Sequence, residues 1–338
     1  MASIDDSIFS EPPAATTKHL IAERLWGPQP IVQQFSNGVR SDEIALDAYF
    51  RFYIASCART LHYSGGHMSV QTHRQLMDIV QQLRSGCSRD IIRNSLSPPD
   101  SLSRADATID LAAQLLLMLN FTSPQYAISG TEQVLWAEGA LESSVHLHFS
   151  SGPTLIDAAV TLDAEFTGYN IEKVADIEIF WTDNLADHLR LIEGETKVAI
   201  FHHVTFLECQ KHSMLPSDLV KETLRTISLL FPEGDKKTAR KYRSNAEIDG
   251  RILRCGQLHG AQRDINFFFY WKDRLVMLKQ KYDGTHPKTI NQWWWDRRNG
   301  VQWYTFWVAI LILILTTFFG LVQSVEGALQ VYKAFVPG

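Results

Sequence analysis

The stretch Thr182-Asp183-Asn184 with Asp187-His188, followed by His202-His203, sets carboxylates beside imidazoles in mid-chain. An aspartate next to a histidine can pass a proton, which makes Asp183, Asp187, His188 and His202 the candidate catalytic residues. The chain carries no nucleophile elbow, P-loop, dinucleotide fingerprint or His-Glu-x-x-His motif to go with them. A plainer account covers the same residues: Asp183 or Asn184 caps a short helix that shows Asp187, His188 and Arg190 to solvent. The balance leans away from an enzyme.

Two other constellations invite chemistry. Cys209 with His212, and Cys255 with His259, supply the ligand types of a tetrahedral zinc site but not the spacing of a zinc finger. Ordinary core or surface roles explain them as well, and the sequence calls for no cofactor. The run LRSGCSRDIIRNSL resembles a helix-turn-helix, in which Ser88, Arg89 and Arg93 would meet a major groove. The part of the chain that carries it is acidic, so nucleic acid is not the expected partner.

These residues need elements to position them. Ser41-Asp42-Glu43 opens a helix to about Thr60, and a second runs from about Gln71 to Leu83 and stops at Gly86. Ser88 caps a third that ends before Pro98-Pro99, and Ser103 caps a fourth to about Asn120, apolar nearly all round and so central to the core. IEIFW (177–181) and KVAIFHH (197–203) read as strands, and Leu215 to Leu230 as a helix with Pro216 in its first turn. NFFFYW and RLVMLKQKY read as a hairpin or as helix. Residues 1–20, rich in Pro, Ser, Ala and Thr, read as disordered.

Val301 to Val322 is a run of 22 residues without a charge. As a helix it spans roughly 33 Å, against ~30 Å for a bilayer's hydrocarbon core. Trp293, Trp294, Trp295, Trp303 and Trp307 gather at its entry like an interfacial aromatic belt, and Arg297 and Arg298 stand just before it. The positive-inside rule then leaves the preceding residues in the cytosol and exports 323–338. With no signal peptide at the start, this is the layout of a tail-anchored protein. Endoplasmic reticulum is expected ahead of mitochondrial outer membrane, whose anchors carry more basic tails. Gly320, Ser324 and Ala328 recur every fourth residue and offer a face for helix pairing, with itself or a membrane partner.

The chain of 338 residues is 45% apolar and 20% charged, which excludes a disordered tail, a collagen-like fibre or a disulfide-built miniprotein. Its net charge of −5 divides unevenly. Residues 1–234 hold 16 Lys/Arg against 29 Asp/Glu, residues 235–300 hold 15 against 7, and the rest balance. An acidic body thus precedes a basic neck, in which Lys236, Lys237, Arg240, Lys241 and Arg243 are candidates for lipid headgroups.

The stretches IFWTDNLADHLRL (179–191), VAIFHHVTFL (198–207), WKDRLVMLKQKYD and WWWDRRNGVQWYTFWVAILILILTTFFGLVQSVEGALQVYKAF carry a resemblance. They look like a group of fungal tail-anchored membrane proteins, strongly over the second half and only in helical layout over 20–150. The resemblance implies a fungal source and an anchor-plus-helical-body plan, and it brings no substrate or catalytic residue.

The expected architecture is therefore mainly α with small β hairpin elements and a single C-terminal transmembrane helix. Residues 1–20 are disordered, 21–288 form a helical cytosolic domain with a candidate sub-boundary near 121–150, and 289–300 are juxtamembrane. The span is 301–322 and the exported tail 323–338. The expected function is a membrane-tethered interaction or scaffold protein that meets membrane lipids. The alternative is an enzyme or accessory protein of a membrane-associated pathway, a biosynthetic one being one option.

Overall fold

The computed structural model describes residues 4–8, 12–27, 46–63, 69–96, 102–122, 130–155, 160–210, 214–285 and 300–335. Trp293, Trp294, Trp295, Arg297, Arg298, His212 and the 41–45 helix start lie outside them. The described residues form twelve α-helices and five short strands. The first five helices are α1 (Ala15–Trp26), α2 (Asp47–Tyr63), α3 (His73–Arg84), α4 (Arg89–Leu96) and α5 (Leu102–Leu117).

Helix α5 is the hub, against which α2, α3 and α4 all pack. Ile109, Leu111, Ala112, Ala113 and Leu115 are buried on it, as its all-round apolar sequence requires. Its last turn leaves carbonyls without helical partners, and Tyr49 donates its hydroxyl to one of them, Leu115 O, at 2.7 Å. The helix opens at Leu102, so Ser103 sits inside it rather than capping it.

Thr72 and Gln75 form a capping box at the start of α3. Each side chain takes the other's backbone N–H, which satisfies two donors that the first helical turn leaves over. At the other end Gly86 adopts φ +79°, a left-handed conformation that glycine takes without a side-chain clash, and the chain turns into α4.

The N-terminus departs from the disorder expected over residues 1–20. Ile4 and Ile8 are buried, and their backbones bond Arg74 N and Gln71 O at 2.8 and 3.0 Å. An ion pair between Asp5 and Arg74 fastens the same edge. Helix α1 already runs from Ala15, and Ile21, Ala22, Leu25 and Trp26 give it a stripe to lay on α3. Polar composition hid a few well-spaced apolar pegs.

Strands β1 (Phe121–Thr122) and β2 (Val134–Leu135) pair in parallel and lead to α6 (Leu141–His148) and α7 (Gly168–Val174). A three-stranded sheet follows: β3 (Glu178–Thr182), β4 (Leu191–Ile192) and β5 (Lys197–Phe201), in the order β3-β5-β4. β4 and β5 form a small antiparallel hairpin. β3 and β5 run parallel with Thr182 opposite Phe201, so the chain leaves both strands side by side. Central β5 is buried from Val198 to Phe201, whereas edge strand β3 alternates between core and solvent.

Beyond the sheet come α8 (Val204–Cys209), α9 (Ser217–Leu230), α10 (Lys236–Tyr242) and α11 (Lys272–Gly284). The segment from 265 is not a hairpin: RLVMLKQKY is helical within α11, and 268–271 is an irregular bend before it. Residues Ile265–Phe267 form a 3-10 turn, and the amides of Phe269 and Trp271 donate to the buried Glu222 carboxylate at 2.8 and 2.7 Å. A side chain supplies what a partner strand would have supplied. A single core cluster runs from Ile4 to Tyr282, with members on both sides of residues 121–150.

The last helix, α12 (Gly300–Phe335), has 36 residues. Within it Trp303–Tyr332 is long and apolar enough to cross a membrane; its most apolar 18 residues have a mean hydropathy of 2.4 and none of them is buried against the protein. Thr305, Thr316, Thr317 and Ser324 each donate a hydroxyl to the carbonyl four residues back at 2.8 Å, so none carries an unpaired donor. The helix passes Val322 and Glu326 unbroken, and residues 323–335 extend it rather than forming a separate tail.

Candidate functional site

The parallel register delivers Asp183, just after β3, to His202 and His203, just after β5. His203 Nε2 lies 2.7 Å and His202 Nε2 3.5 Å from the same oxygen, Asp183 Oδ1. The two imidazoles stack with ring centres 4.0 Å apart. Both histidines are buried, while the Asp183 side chain is 48% exposed. The group therefore has two anchored members and one that faces water.

Neighbours fix the ring states. The Asp249 amide donates to His202 Nδ1 at 3.2 Å, which leaves the His202 proton on Nε2, directed at Asp183. Asp249 in turn accepts the amides of Thr205 and Arg251 at 2.7 and 3.0 Å, so one buried carboxylate ties down the start of α8 and the following 3-10 turn. His203 Nδ1 has no hydrogen-bond partner among the described residues. Phe52 and Phe201 flank that ring.

Burial opposes ionisation of Asp183, but hydrogen bonds from His202 and His203 outweigh it and hold the carboxyl well below the usual range. Burial, together with the charge of His202, pushes the His203 imidazole down to about 3 against a contact with Asp183 that raises it. A carboxylate that stays ionised beside an imidazole that stays neutral is a weak acid/base pair near neutral pH. The same states are those of metal ligands.

Asp187 and His188 go elsewhere, and they do not form the acid/base pair that their adjacency suggested. They are not on a solvent face either, since both are buried. Asp187 accepts Glu132 N and Asn184 Nδ2 at 2.8 Å each and pairs with Arg190 at 2.7 Å. Asn184 likewise makes no cap: its amide oxygen takes Asn120 N at 3.0 Å. His188 Nδ1 accepts Phe201 N at 3.2 Å and Nε2 donates to Thr226 Oγ1 at 2.7 Å, beside the Trp271 ring. Every polar atom of that ring is satisfied, so His188 is a structural histidine.

Its burial has a measurable consequence. Desolvation and the charge of Arg274 push the His188 imidazole down to about 3. In the unfolded chain it takes a proton near pH 6.5. Between these values the unfolded state binds the extra proton, so stability is complete above about pH 6.5 and falls as the solution is acidified. The expected slope is about 1.4 kcal/mol per pH unit for this one group. Denaturation of the detergent-solubilised protein between pH 7.5 and 5 measures it, and His188→Gln is expected to remove one proton's share. An unchanged slope in that variant would refute the assignment.

Cys209, Cys255 and His259 do not come together as a ligand group, and His212 lies outside the described residues. Among the described residues Asp183, His202 and His203 are the one group of three metal-ligand side chains within reach of one another. Cys209 is buried at the end of α8 and lines a small cleft with Trp26, Leu116 and Met214. Cys255 Sγ contacts Arg251 O at 3.4 Å, and His259 is exposed at a 3-10 turn.

In the helix-turn-helix segment the two helices are present, but Arg89 faces inward. It is 1% exposed, bonds Asp106 and Asp110, and lies over the Trp136 ring at 4.7 Å. Arg93 bonds Asp90 and Asp106. In and just after α10, Lys236, Lys237, Arg240 and Arg243 are exposed, while Lys241 is held by Glu172.

Comparison with known protein families, with curated proteins and with solved structures finds no match. Sequence reasoning placed His203 beside His202 yet left it out of the catalytic candidates. The signal was the His-His pair at a strand end, which needed the β3–β5 register to become a site. It also missed Arg274, which donates to Ala186 O and His188 O at 2.6 and 2.7 Å and locks the loop between β3 and β4.

Proposed function

We propose that this chain is a membrane-tethered interaction or scaffold protein, with its helical body in the cytosol and α12 as its anchor. The observation that carries the reading is the surface of α12: Leu311, Ile312, Leu313, Ile314 and Phe318 are each more than half exposed. Such a surface in water would be a liability, and in a bilayer it is the normal state. The orientation rests on Arg297 and Arg298 before the span and on the basic neck, through the positive-inside rule. The exposed cations of α10 then face anionic headgroups, each adding ~1 kcal/mol when near the surface. The proposal extends to kinship with fungal tail-anchored proteins of the same plan, and to the endoplasmic reticulum as the membrane.

Topology is the direct test. A glycosylation acceptor appended after Gly338 is expected to be modified, while the natural sequon at Asn120 stays bare. The opposite pattern would invert the orientation.

A further inference from the structure

We propose that Asp183, His202 and His203 form a binding site for one divalent transition-metal ion, held by two imidazole nitrogens and a carboxylate.

The first argument is distance. The ligand atoms of all three side chains lie within 4.8 Å of one another, and two of the separations are 2.7 and 3.5 Å. Metal bonds of about 2.0–2.2 Å at tetrahedral or octahedral angles set ligand atoms roughly 2.9–3.5 Å apart. Side-chain rotation alone can close the difference.

The second is direction. Both Nε2 atoms address one point, which Asp183 Oδ1 fills. Asp183 is the half-exposed member and follows the end of an edge strand, so it can swing aside, admit a cation to that point and ligate from the solvent side. The remaining coordination positions would then be open to water or to a small ligand, the pattern of two-histidine, one-carboxylate centres.

The third is the proton count. Neutral imidazole ligates through Nε2 only with its proton on Nδ1. His203 Nδ1 has no partner, so its proton can move there without breaking a hydrogen bond. His202 makes the same move at the expense of the Asp249 amide bond, already 3.2 Å long. Asp183 and His203 are accordingly the stronger ligands and His202 the weaker. The ligand set is nitrogen-rich and without sulfur, which suits zinc, iron(II) or cobalt(II) better than calcium or magnesium.

The test uses full-length, detergent-solubilised protein stripped with a chelator and titrated with Co2+. We expect one equivalent to give visible d–d absorption, which Zn2+ then bleaches. Asp183→Asn keeps a hydrogen-bond acceptor for both imidazoles and is expected to fold, and it should weaken Co2+ binding at least tenfold. His146→Gln, at a half-exposed histidine on α6, is expected to bind as the natural protein does. Thermal unfolding of the metal-free variants checks that both are folded. Absence of d–d bands, or equal binding by Asp183→Asn, would overturn the proposal.

Discussion

Arg89→Met is expected to cost the body about 3 kcal/mol, the low end of the range for breaking a buried ion pair from one side. In the natural protein Arg89 bonds Asp110 Oδ1 at 2.5 Å, Asp106 Oδ1 at 3.2 Å and Trp136 O at 3.2 Å. Methionine fills much of the volume and answers none of these acceptors. Burial already pushes the Asp110 carboxyl upward against the pull of Arg89, so without the arginine it must take a proton or stay charged and unpaired. The low end applies because Asp106 and Asp110 keep 33% and 29% of their side-chain surface in water. A drop of roughly 5 °C in unfolding temperature is the expected readout for a body of this size. Adding Asp110→Asn should restore part of it, because the second change removes the stranded charge. A loss below about 1 kcal/mol would mean that water takes over the arginine's role.

The second large effect belongs to the anchor. Leu313→Arg with Phe319→Arg is expected to release the protein from membranes, since each arginine near the centre of a span costs about 2.5–3.5 kcal/mol on insertion scales. Two sites are used because a single arginine can be accommodated by snorkelling and local thinning of the bilayer. With both in place, no stretch long enough to cross escapes a charge. Extraction at alkaline pH gives the measurement: the natural protein should stay in the pellet and the double variant should move to the supernatant. Retention of the double variant would place the anchoring elsewhere in the chain.

Legibility in the sequence followed the range of the forces involved. Helix α5 and strands β3 and β5 were readable because a run of apolar residues reports its own burial. The Asp183 cluster was only half readable. Asp187 and His188 are neighbours in sequence and drew attention together, yet they point to different distant partners, the Glu132 amide and Thr226. Asp183 and His203 are twenty residues apart and meet only because Thr182 pairs with Phe201. Arg89 looked like a surface cation because its partners, Asp106 and Asp110, stand on another helix. The aromatic run at 267–271 read as hairpin strand or as helix because nothing local announces that Glu222 will bond its amides. In each case the deciding contact was long-range, and composition carries no record of it.

The unbroken length of α12 has a consequence for how the protein sits in its membrane. Its charge-free part, residues 301–322, is roughly 33 Å long against ~30 Å of hydrocarbon, and the same helix runs on through Glu326 to Phe335. The excess of about 3 Å is taken up by a tilt of roughly 25°, close to the ~20° average. Cellular membranes differ in thickness by several ångströms, a difference that tilt absorbs at a fraction of a kcal/mol per ångström. The turns after Val322 are continuous with the span, so they swing with it. Lipid composition thus sets how Glu326 and the helix end meet the headgroups, without touching the folded body.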